Sequence, residues 1–149
     1  MTNTLQIHAV LQDGMRVLAG NGKHEITMDY ALAAGQETAG MTPLETLLAS
    51  LCACTASTVK MLLVRKMNQP VLGLEVNARA ARRQEHPTVL TDIALEIEVR
   101  GAVDSDAVER AIQAAEEQIC PVWNMLKGGT RIRSSFRIVA APEAVEQRI

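Results

Sequence analysis

Apolar and polar residues alternate over Leu5, Ile7, Ala9 and Leu11, which predicts a half-buried strand ended by the turn pair Asp13-Gly14. A second strand from about Met15 to Ala19 follows. Gly20-Asn21-Gly22 turns the chain into a third from His24 to Asp29, completing an antiparallel three-stranded meander. Tyr30 to Met41 is rich in Ala and Gly, lacks a period and reads as a loop. The period then changes. Between Pro43 and Lys66, residues Leu44, Leu47, Leu48, Leu51, Thr55, Val59 and Leu62 share one stripe of an α-helix. Thr42 is its expected N-cap, with Pro43 at the first helical position and Glu45 at capping-box spacing. The opposite side carries the small residues Ala49, Ser50, Ala53, Ala56 and Ser57 rather than charges. A second element, either a helix or a partner subunit, is therefore expected against it.

Asn68-Gln69-Pro70 breaks the helix, and Leu72, Leu74, Val76, Ala78 and Ala80 alternate into a long strand. Arg82 to Pro87 is a charged hairpin turn. The clearest strand follows, with Ile93, Leu95, Ile97 and Val99 set between polar residues and stopped by Gly101. Asp104, Ser105 or Asp106 can cap a second helix, Asp106 and Glu109 having capping-box spacing, and Val108, Ile112, Ala115 and Ile119 form its buried face. Pro121 interrupts the backbone hydrogen bonding, so a short helix is expected from Pro121 to Lys127, ended by Gly128-Gly129. Ile132, Ser134, Phe136 and Ile138 predict a last strand, and the polar tail from Pro142 is expected to fray. The plan is α+β, with helices set against antiparallel sheet.

The 149 residues fit a single domain spanning 1–149. A net charge of -2, with scattered lysines and arginines, gives no electrostatic footprint for nucleic acid or an anionic membrane. No secretory leader is evident, and no apolar run reads as long enough to cross a bilayer, so the protein is expected in the cytoplasm. In that reducing compartment three cysteines, an odd number, argue against a static disulfide framework. They are core residues, metal ligands or redox-active thiols.

Cys120 immediately precedes Pro121, at the expected N-terminus of a short helix. Unpaired N–H groups and the helix dipole favour a thiolate there, so its pKa is expected below the ordinary value of roughly 8.5. Cys54 lies within the long helix, where period alone makes it a small core residue first, and any activation must come from tertiary neighbours. Cys52 points roughly the opposite way, and Cys52-Ala53-Cys54 is not the C-x-x-C spacing of a dithiol redox site. His8, His24 and His86 show no H-x-x-x-H spacing, which argues against zinc. No phosphate-binding glycine loop or nucleophile elbow stands out.

Taken together, PLETLLASLCACTASTV at 43 to 59 and Cys120-Pro121-Val122 resemble the two signature blocks of the OsmC/Ohr family, and the strand from Leu90 to Gly101 is similar as well. The resemblance implies antiparallel sheets packed around a long central helix in an intertwined homodimer. It implies a peroxidase that reduces organic hydroperoxides in oxidative-stress defence, at sites on the subunit interface, with no metal or prosthetic cofactor. By position, Cys54 corresponds to the cysteine that attacks the peroxide and Cys120 to the one that resolves it, an external thiol being the reductant. Cys52 stands where the family has a small residue and reads as packing. The family's arginine–glutamate pair maps to Glu45 at the start of the helix, with Arg16 the nearest arginine of the N-terminal strands. Glu45 and Cys54 are separated by roughly 13 Å along one helix, so a shared site would draw them from two subunits. The alternative is a non-catalytic dimer of the same fold that binds a small molecule or acts as a scaffold.

Overall fold

The N-terminal alternation forms the expected meander, β1 (His8–Leu11), β2 (Val17–Gly20) and β3 (Glu25–Met28), all antiparallel in the order β1-β2-β3. The computed structural model describes residues 3–140, and the chain divides into two units, Met1–Leu48 and Ala49–Ile149. In the first unit, β1 is shorter than the alternation suggests, because pairing with β2 ends at His8 opposite Gly20. Asn21 Oδ1 accepts from the N–H groups of Lys23 and His24, which fixes the second turn. Gly40 is required where the returning loop passes β3, since a Cβ there would lie 2.1 Å from Thr27 O. Cross-strand register puts Ala9, Leu11, Val17, Ala19, Ile26 and Met28 on one face. Of these only Ala19 is buried, so the strand expected to be half-buried is exposed within this chain.

Helix α1 (Pro43–Met61) continues through a π-helical turn, Leu62–Lys66. Its start follows the predicted capping box: Thr42 N–H donates to Glu45 Oε2 at 2.7 Å, and Glu45 N–H donates to Thr42 Oγ1 at 3.2 Å. The buried stripe is Leu51, Thr55, Thr58, Val59, Leu62 and Leu63, while Leu47 is exposed. On the small-residue side Ser50, Ala53 and Ser57 remain exposed. The expectation that no apolar run is long enough to cross a bilayer does not hold. By length and composition the 24-residue helix Pro43–Lys66 is apolar enough to cross a bilayer. Its serines and threonines barely lower its hydropathy, which is why the run looks shorter when only aliphatic residues are followed. A core helix has the same composition, and the stripe from Leu51 to Leu63 is fully or nearly buried within this fold.

In the second unit β4 (Gly73–Arg82), β5 (Leu90–Arg100) and β6 (Arg131–Val139) form a sheet in the order β4-β5-β6. Leu90, Ile93, Leu95, Ile97 and Val99 of β5 are buried, each contributing roughly 1.5–3 kcal/mol by leaving water. The more polar face carries ion pairs, Arg133 with Asp92 at 2.8 Å, Arg100 with Glu75 at 2.7 Å, and Arg137 with Glu98. β6 runs parallel to β5, whereas the sequence reading expects antiparallel sheet. The connection explains the direction, because residues 101–130 carry two helices across from the end of β5 to the start of β6, as parallel neighbours require.

Helix α2 (Ser105–Ala114) is capped by Asp104, whose carboxylate accepts from Ala107 N–H at 3.2 Å. The alternative box at Asp106 and Glu109 is not the one used. A π-turn, Ala115–Ile119, then leads into α3 (Pro121–Leu126). Ala107, Val108, Ala111, Ile112 and Ala115 are buried as the helical period requires, but Ile119 is 40% exposed. The wider π-turn, closed by Cys120 N–H to Ala115 O at 3.0 Å, holds one residue more than an α-helical turn. It rotates Ile119 off the buried face and brings Cys120 in at 0% exposure. The tail from Pro142 lies outside the described residues.

Candidate active site

Two of the three predicted site residues meet. The Cys120 S–H donates to Cys54 Sγ at 3.0 Å, across 66 residues of sequence, and both cysteines are free thiols. A disulfide needs the sulfurs to close by only about 1 Å more. Cys54 is half-buried and Cys120 fully buried, so Cys54 is the sulfur a solute reaches first.

Cys120 is presented by the π-turn and by the start of α3. Asn124 Nδ2 donates to Cys120 O at 2.8 Å and to Ala115 O at 3.3 Å, and Lys127 Nζ donates to Glu116 O at 3.0 Å. Asn124 of α3 and Lys127 just beyond it thereby satisfy carbonyls of the π-turn, at Ala115 and Glu116. Trp123, 1% exposed, anchors α3 in the core.

The ionisation of Cys120 departs from the sequence expectation. Burial pushes its thiol above the ordinary range, and the hydrogen bond to Cys54 pushes it further, because the proton is held between the two sulfurs. The Trp123 N–H at the helix start and the Thr55 hydroxyl pull the other way without prevailing. The helix N-terminus is thus present, but desolvation is the larger effect. Cys52, on another side of α1, is raised by burial as well.

Glu45 is not brought to the thiols within its own helix. It stands nine positions before Cys54 at the exposed start of α1, where the Thr42 N–H holds its carboxyl below the usual range. Arg16 lies between β1 and β2, its Nε buried without a hydrogen-bond partner. Among the described residues no group of three or more His, Cys, Asp or Glu side chains is arranged to hold a metal ion.

The family described as OsmC-like protein matches residues 35–135, a span that includes both cysteines and most of the elements above. The chain belongs to the OsmC-like family. Protein YhfA of Escherichia coli K12 is 36% identical over 100 residues, covering 66% of this chain and 74% of that protein. The fold is shared with an OsmC-like protein from Mycoplasma pneumoniae, at a TM-score of 0.81 and 24% identity over 93% of this chain and 99% of the other. It is also shared with the organic hydroperoxide resistance protein OhrB of Bacillus subtilis, at a TM-score of 0.69 and 14% identity over 91% and 98%.

Three residues of this OsmC-like site escape a sequence reading. Asn124 and Lys127 fasten a π-turn that no local pattern announces. Thr55 registers in the sequence only as part of the core stripe, although its position beside Cys54 is a signal that could have singled it out.

Proposed function

We propose that the chain is a cytoplasmic thiol-dependent peroxidase acting on organic hydroperoxides in oxidative-stress defence. The observation that carries this reading is a half-buried sulfur, Cys54, held 3.0 Å from a fully buried one, Cys120. Cys54 as thiolate attacks the distal peroxide oxygen; the O–O bond breaks, an alcohol leaves after protonation, and Cys54 becomes a sulfenic acid. Cys120 then displaces the sulfenic oxygen as water and forms a disulfide, which two equivalents of an external thiol reduce by exchange. No metal or prosthetic group takes part. Counting free thiols before and after one equivalent of organic hydroperoxide tests the cycle. The peroxidase loses Cys54 and Cys120 together, and persistence of both thiols would overturn the reading.

The working form is a homodimer. Leu11 at 62% and Ile26 at 51% exposure leave the apolar face of the meander without a cover in the single chain, and a second copy is the cover that the family resemblance supplies. A stable monomer in sedimentation at micromolar concentration would remove this claim. Glu45 contributes to the peroxide site across that interface in addition to capping its own helix. Mixed dimers of inactive Glu45→Ala and Cys54→Ser subunits should then recover activity, and failure to recover would confine Glu45 to capping. The second reading, a non-catalytic binding or scaffold dimer, is favoured by one observation: among the described residues of the single chain, no cation acts on the Cys120 thiol.

A further inference from the structure

A hydroxyl inside a helix ordinarily donates to a carbonyl of the preceding turn. α1 shows this on either side of the thiol pair. Thr46 Oγ1 donates to Thr42 O at 2.9 Å, and Ser57 Oγ donates to Ala53 O at 2.8 Å. Thr55, adjacent to Cys54, departs from the habit of its own helix. Its side chain is completely buried and its Oγ1 has no hydrogen-bond partner. A buried polar atom left unpaired is unfavourable and points to a partner that belongs to another state of the site.

That partner is already beside it. The Thr55 hydroxyl acts on the Cys120 thiol in the direction that favours its ionisation, while its Oγ1 makes no hydrogen bond of ordinary geometry in the reduced pair. A neutral thiol sulfur is a weak acceptor, and its own proton is directed at Cys54. Once that proton leaves, the sulfur becomes a charged and much stronger acceptor. Among the described residues of the single chain, Cys54 is the one titratable group acting on Cys120. A neutral donor is therefore what this pocket offers to a thiolate, together with the Trp123 N–H.

We propose that Thr55 Oγ1–H is the hydrogen-bond donor that receives the Cys120 sulfur during disulfide formation, making Thr55 a positioning residue for resolution rather than for attack on the peroxide. The inference rests on the peroxidase reading for the step it serves. In that step a Cys120 sulfur lone pair forms the S–S bond to Cys54, and the S–O bond of the sulfenic acid breaks. The departing hydroxide combines with the proton given up by Cys120, so that Cys54–SOH and Cys120–SH yield the disulfide and one water. The donor raises the thiolate fraction more than it lowers the nucleophilicity of that thiolate, because only about half of a pKa change appears as reactivity.

Thr55→Val keeps the shape of the side chain and removes the donor, and Thr55→Ser restores the donor while losing a methyl group. In single turnovers with one equivalent of organic hydroperoxide, sulfenic acid formation at Cys54 should stay within about twofold of the parent in both variants. Disulfide closure in Thr55→Val should slow about three- to fourfold for each unit by which the Cys120 pKa rises, its pH profile should move to higher pH, and Thr55→Ser should recover both. Closure at the parental rate in Thr55→Val, or equal slowing in Thr55→Ser, would overturn the proposal and leave Thr55 as packing. A readout independent of peroxide separates this failure from failure of the peroxidase reading. The thiolate ultraviolet absorbance of the reduced protein is titrated with pH, with Cys120→Ser as the subtraction. Thr55→Val must shift the Cys120 component upward and Thr55→Ser must return it; an unmoved component overturns the proposal even if the parent never reacts with peroxide.

Discussion

Two helices of this chain begin with a capping residue followed by proline, and the two starts end up with different properties. At Thr42-Pro43 both partners of the cap are local and exposed, and the Glu45 carboxylate is held in its charged form by the Thr42 N–H. At Cys120-Pro121 the cap is a thiol at 0% exposure, with a second sulfur against it, and the same kind of helix end fails to hold it charged. A helix terminus supplies partial charge, typically worth about 0.3–1 kcal/mol when exposed, while desolvation of a buried ionised group costs several kcal/mol. Burial therefore decides which start stabilises structure and which one keeps a proton in reserve.

The contrast is broken most severely at the sulfurs. Cys54→Ser should lower peroxide consumption by more than about a hundredfold. Cys120→Ser should permit one turnover and then leave Cys54 as sulfenic or more highly oxidised acid in the mass spectrum. Cys52→Ser should leave turnover unchanged. Equal single-turnover rates for Cys54→Ser and the parent would reverse the assignment of roles.

Next comes the residue that makes the α3 start a buried one. Trp123→Ala removes the largest fully buried side chain and should cost about 3–5 kcal/mol in denaturant unfolding. Reduced-state alkylation of Cys120 should become faster as the start of α3 loosens. At the exposed start the effect is smaller: Thr42→Ala should cost about 1 kcal/mol, with the closure rate of the thiol pair untouched.

The smallest effects lie in the pH dependence of stability, and the two starts contribute with opposite signs. Glu45 has a lowered folded-state pKa, so its contribution is present above the ordinary carboxyl value of about 4.3 and is lost as pH falls through the folded value. Cys120 has a raised one, so the contribution of its protonated form is present below about 8.5 and is lost as pH rises through the folded value. Thermal melting across pH should show Glu45→Gln flattening the acid limb and Cys120→Ser the alkaline limb.

Legibility in the sequence follows how local each interaction is. The capping box at Thr42 and Glu45 is readable because three residues contain it, and β5 is readable because the alternation of Ile93, Leu95, Ile97 and Val99 reports a face. The direction of β6 is not, because it depends on where two intervening helices deliver the chain. The period that includes Ile119 continues smoothly through the π-turn, so nothing local reveals that Cys120 takes the buried position. Cys54 and Cys120 can be placed on their elements, but their contact comes through a resemblance to known blocks and not from spacing. The raised Cys120 pKa is hidden for the same reason, since desolvation is a property of everything that packs around a residue.

The 66-residue separation of the two sulfurs would give the disulfide form of the proposed cycle a mechanical character. Closing the bond ties a long loop and removes chain entropy from the unfolded ensemble, worth roughly 4 kcal/mol by loop size alone. Thermodynamic reciprocity requires the folded chain to hold the bond against reduction by the same amount, roughly 90 mV of potential relative to the unfolded chain. In the proposed cycle, the reductant that resets the thiols would therefore work against the fold itself, and a population stalled in the oxidised state should be the harder one to unfold.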